Sequence, residues 1–110
     1  MRYLMFICGD PSGEKYDPKQ DNIDSWVAEM DGSGVRIVGN RLAGVDKAVT
    51  VRKRNGKVLT TDGPFAETKE WIAGFDVIEC ASLEKATEVA AKHPMARLGR
   101  IEVRPFWLPE

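Results

Sequence analysis

Histidine is almost missing from this 110-residue chain, with His93 the only one, and cysteine occurs just twice, at Cys8 and Cys80. A closed zinc site needs four such ligands, so no structural metal is expected. Both cysteines sit in apolar runs without CxxC spacing, which reads as reduced, buried thiols rather than a disulfide framework. Long apolar runs are lacking too. The longest, residues 3–8, falls far short of the roughly 20 residues that cross a bilayer, so neither a membrane span nor an export signal is expected and the chain is assigned to the cytoplasm. Charge of one sign is also in short supply: Lys and Arg number 16 and Asp and Glu 17, for a net charge of -1. Without a global basic field to hold a phosphate backbone, nucleic acid is not an expected partner. The phosphate-cradling patterns GxGxxG and GxxxxGK[ST] do not occur, nor does the nucleophile elbow GxSxG, and Ser12, Ser25, Ser33 and Ser82 have no base beside them. No cofactor is expected.

What is present describes one folded domain over residues 1–110. Apolar residues make up 43% and charged residues 30% of the chain, near the globular average. A compact domain of this length has a radius of gyration of roughly 13 Å. The charge is segregated along the chain: residues 31–60 carry a net +5, whereas residues 1–30 and 61–110 each carry -3. Much of the basic excess lies in Arg52, Lys53, Arg54 and Lys57, which bracket Asn55-Gly56. That dipeptide suits a type I′ hairpin turn, because both central positions need φ > 0.

Apolar periodicity sets out the remaining elements. Residues 2–8 (RYLMFIC) are apolar at nearly every position and read as a central strand buried on both faces. Asp17-Pro18 offers an N-cap and first-turn proline for a helix whose stripe is Ile23, Trp26, Val27 and Met30, ending near Gly32 or Gly34. Strands are expected at residues 35–42, 48–54, 57–61 and 72–80, with Gly74 marking a bulge or close backbone approach. Ser82 caps a second helix that His93-Pro94 ends, and residues 100–107 alternate as a last strand. The order is the α+β, ferredoxin-like split βαβ plan with an inserted hairpin. Two helices on one face leave the other side of the first strand bare, and a second copy of the chain is the economical cover. A homodimer is therefore expected.

The run Thr61-Asp62-Gly63-Pro64-Phe65-Ala66-Glu67-Thr68-Lys69-Glu70, with Gly74-Phe75 and Ile101-Glu102-Val103-Arg104-Pro105 beyond it, resembles the YCII-related family in its Asp-Gly-Pro-Phe (DGPF) branch. The resemblance implies a dimeric α+β barrel, usually bacterial and cytosolic, with no settled biochemical activity for this branch. Members are often encoded beside sigma factors of the extracytoplasmic-function type, which makes such a factor a conjectural partner. Related proteins are thought to use a His-Asp pair for acid-base work. The first helix here has no histidine, so such a pair in this chain must join His93 to an acid from a distant segment.

Asp62 is the acid this reading selects, with Asp62 and His93 as catalytic candidates. Asp62-Gly63-Pro64 is equally a plain turn in which each residue has a backbone reason to be there. The residues after it concentrate ionisable and aromatic groups in one connection, so Phe65, Glu67, Lys69 and Trp71 are ligand-binding candidates. Arg41, near a strand end, is another, because its planar fork suits a carboxylate. His93 at a helix C-terminus is expected to favour its protonated form through the dipole, and a capping role would satisfy it equally. Arg104 is explained as a partner for Glu102 on the same strand face. The two functions this supports are an acid-base enzyme acting on a small molecule in a cleft of a dimeric barrel, and a non-catalytic metabolite-binding or regulatory module.

Overall fold

The first strand, β1 (Arg2–Gly9), lies at the centre of the computed structural model, which describes residues 1–63 and 71–109. It pairs antiparallel with β5 (Trp71–Glu79) on one side and β6 (Arg100–Pro105) on the other, and β2 (Arg36–Arg41) completes the sheet in the order β2-β5-β1-β6. That order is the ferredoxin-like arrangement, with the β3–β4 hairpin inserted between its second and third strands. Helices α1 (Ile23–Gly32) and α2 (Leu83–Ala91) are the two crossovers, and a single turn, α3 (Met95–Leu98), leads into β6.

The core forms where alternate residues of β1 meet the helices. Tyr3, Met5 and Ile7 are buried against Trp26 and Met30 of α1, Ile78 of β5, and Ala86 and Ala90 of α2. Burying a large apolar side chain contributes roughly 1.5–3 kcal/mol, so this cluster carries much of the stability. Trp26 brings a polar tip inside, and its indole N–H donates to the Val89 carbonyl at 3.0 Å.

The other face of the sheet is only partly covered within one chain, as two helices on a single face lead one to expect. Leu4, Phe6 and Cys8 of β1, with Phe75 and Val77 of β5, are half-buried within one chain, and Val38 on β2 is 51% exposed. Arg104 and Glu102 of β6 pair at 3.7 Å on the same face, as their spacing predicts. Cys8 and Cys80 are likewise half-buried rather than buried.

Asp17-Pro18 caps only a 3-10 turn (Pro18–Gln20), the Asp17 carboxylate accepting from the Lys19 N–H. The helix proper begins at Ile23 because the chain turns again at Asp21-Asn22. Asn22 spends its side chain on the Lys92 carbonyl, so the Asp21 carboxylate takes the Ile23 N–H instead. Ser82 caps α2 as expected, its Oγ accepting from Lys85 N at 3.2 Å.

β3 (Val49–Arg54) and β4 (Lys57–Asp62) form their own two-stranded sheet. Asn55 (φ 51) and Gly56 (φ 77) supply the two positive φ values that a type I′ turn requires. Gly74 lies beside the register shift at Ile7/Cys8, where a Cβ would stand 2.9 Å from the Asn40 carbonyl oxygen. The last strand is shorter than its alternation suggests, ending at Pro105 and leaving Trp107 85% exposed. No helix among the described residues is long and apolar enough to cross a membrane.

Candidate functional site

A cavity of about 520 Å³ lies between α1, the α2–α3 junction, and the adjoining parts of β2 and β5. Its apolar wall is built by Ile7, Ile23, Trp26, Val27, Met95 and Leu98, and its polar groups are Tyr16, Asp21, Arg36, Asn40, Arg41, Asp76 and His93. An apolar chamber with a few convergent polar groups is the usual form of a small-molecule site.

His93 is 6% exposed and meets Trp26 edge-on, with ring centroids 4.7 Å apart and planes at 68°. The Met95 backbone N–H donates to its Nδ1 at 3.0 Å. An atom that accepts a hydrogen bond has no proton of its own, so the imidazole proton sits on Nε2. Burial pushes the His93 pKa down to about 4. The protonated form expected from the helix dipole is thus overturned: loss of hydration outweighs the partial charge of a helix end. Among the described residues Nε2–H has no hydrogen-bond partner, and no fully enclosed polar side-chain atom lacks one, so Nε2 keeps some contact with the space outside the protein.

Asp76 stands on the core side of β5, opposite Met5 of β1 and Gly39 of β2. It is 6% exposed, and its Oδ1 accepts from Arg36 Nε at 2.7 Å. Burial raises the Asp76 carboxyl above the usual carboxylate range, while Arg36 pulls it back down. Arg36 is fully engaged: Nη1 reaches Asp31 at 3.1 Å and Nη2 donates to the Gly39 carbonyl at 2.9 Å. Gly39 is the reason the carboxylate fits, since a Cβ there would overlap Asp76 Oδ1. At the cavity's edge Tyr16 Oη donates to Asp21 Oδ2 at 2.9 Å, and Asp21 is held below the carboxylate range first by the Ile23 N–H and then by Tyr16.

Of the residues selected from sequence, the cavity brings together His93 and Arg41. Asp62 ends β4 opposite Val49 and is exposed on the hairpin, outside the cavity's lining. Trp71 begins β5 and lays its indole over Gly9, also outside that lining. Phe65, Glu67 and Lys69 lie outside the described residues. Asp76, Arg36 and Tyr16 are the groups sequence reasoning missed. One signal did exist, an acid at core-facing parity with Gly74 and Ile78 and flanked by apolar residues on both sides. Among the described residues no three of His, Cys, Asp and Glu converge as metal ligands would.

The chain is 44% identical over 70 residues to an uncharacterized protein of Rhizobium meliloti (strain 1021), a match taking in 62% of this chain and 56% of that protein. The chain thus spans little more than half the length of this curated relative. The YCII-related domain matches residues 1–108, from the first strand to beyond the last, and the chain belongs to the YCII-related family.

Proposed function

We propose that the cavity binds a small molecule and that Asp76 exchanges a proton with it while His93 holds it by a hydrogen bond from Nε2–H. The observation that carries this reading is the pairing of two polar groups, each 6% exposed, in the wall of one apolar chamber. A carboxyl whose proton affinity is raised by burial is suited to general acid-base work. A histidine kept neutral far below pH 7 serves instead as a donor to a carbonyl or developing oxyanion. The roles divide accordingly. Asp76 takes the place that the sequence reading gave to Asp62.

The assembly proposed with this function is a homodimer, two copies covering each other's half-buried sheet face. Leu4, Phe6, Phe75 and Val77 supply the apolar patch, and the dimeric barrel of the family resemblance supports the arrangement.

The test is an NMR screen of small carbonyl compounds that follows the His93 ring nitrogens, with each hit then assayed for deuterium uptake from heavy water. Hits are expected to shift Nε2 and to exchange hydrogen in the presence of the native protein. Asp76→Asn, checked for folding by circular dichroism, should retain binding and lose exchange. Hits bound at His93 without any exchange would establish the non-catalytic binding module instead. Hits that bind and leave His93 unmoved would refute the site.

A further inference from the structure

Resting on the cavity reading, we infer that its ligand is a monocarboxylate with an apolar body, the carboxylate held by Arg41 and the body lodged against Trp26, Ile23 and Leu98. Arg36 and Arg41 are five residues apart, an odd spacing that would place them on opposite faces of a regular strand. The register shift between Arg36 and Val38 cancels the difference: Arg36 sits opposite Ile78 and Arg41 opposite Gly74, two β5 positions of the same parity. Both arginines consequently line the cavity. A bulge that re-aims a side chain beside a site is a common device.

The two arginines differ in what they already hold. Arg36 has all three guanidinium nitrogens occupied by Asp76, Asp31 and the Gly39 carbonyl. The Arg41 guanidinium makes no hydrogen bond or ion pair with a described residue, and Gly74 across from it offers no side chain to occupy its place. The acids of the wall are engaged elsewhere, Asp76 with Arg36 and Asp21 with the Tyr16 hydroxyl and the Ile23 N–H. One uncompensated cation beside an apolar chamber selects an amphipathic anion. A lone planar fork matches the two oxygens of a carboxylate, whereas a phosphate dianion calls for more donors than one arginine provides.

Matched probes test this: 3-phenylpropanoate and cyclohexylacetate against their neutral amides, titrated calorimetrically into the full chain and followed at the His93 nitrogens. At least one acid is expected to bind tenfold or more tightly than its amide, about 1.4 kcal/mol. Arg41→Gln should remove that preference by weakening the acid and sparing the amide, and Arg41→Lys should restore part of it. Acid and amide binding equally, both shifting His93, would overturn the carboxylate assignment and leave the cavity reading intact. An acid that binds through Arg41 without moving His93 would overturn the cavity reading. Failure of every acid to bind at millimolar concentration would overturn the carboxylate assignment.

Discussion

One buried imidazole ring shapes how this protein responds to acid between about pH 4 and 6.5. In the native state burial keeps His93 neutral down to about pH 4, whereas in the unfolded chain the ring takes up its proton near the ordinary value of about 6.5. Between those values the unfolded state binds more protons, so stability rises with pH; the contribution is complete above about 6.5 and lost as pH falls toward 4. Its full size is on the order of 3 kcal/mol. Asp76 acts in the opposite sense over its own interval, because burial raises its carboxyl above 3.8 and the native state keeps that proton longer. Urea unfolding from about pH 7.5 to about pH 4.5 checks the balance, and His93→Gln should flatten the slope above pH 4.5. A slope unchanged by that replacement would assign the acid sensitivity to another group. His93 was legible as a candidate from sequence because it is unique. Its charge state was not, since proximity to a helix end is visible in a sequence and the depth of a ring beneath Trp26 is not.

Elements were read most reliably where local chemistry leaves one solution. The Ile23, Trp26, Val27, Met30 stripe and the Asn55-Gly56 turn are of this kind, and both stand in the structure as read. The start of α1 shows the converse, because Asp17-Pro18 and Asp21-Asn22 are both competent caps and only the tertiary bond from Asn22 to Lys92 settles which acid serves. Asp21→Ala should therefore destabilise the fold distinctly more than Asp17→Ala, which releases only a short 3-10 turn. Chemical denaturation of the two variants side by side measures the difference, and equal losses would return the capping role to Asp17. The same limit hid half of the candidate site. Parity along β2 predicts opposite faces for Arg36 and Arg41, and a one-residue irregularity reverses that without any glycine or proline at Ile37 to announce it.

The whole molecule is flat and extended, with principal extents of 47 × 42 × 21 Å and a radius of gyration of 16.0 Å. A compact chain of this length would measure roughly 13 Å, and the excess reflects the projecting β3–β4 hairpin. Among the described residues one helical layer on one sheet leaves the Phe6 side without a second layer, the arrangement that favours a dimer. Light scattering should give twice the mass of the chain, and Phe6→Asp should yield monomers that still fold, because Phe6 points away from the Met5 core. A native protein that stays monomeric at the highest soluble concentration would refute the assembly. The hairpin carries a separate consequence. Among the described residues β3 and β4 pair with each other and with no strand of the larger sheet. Nicking the Asn55-Gly56 tip would therefore sever no ladder of the body, and this tip is the natural place for a graft, a dye or a circularly permuted terminus.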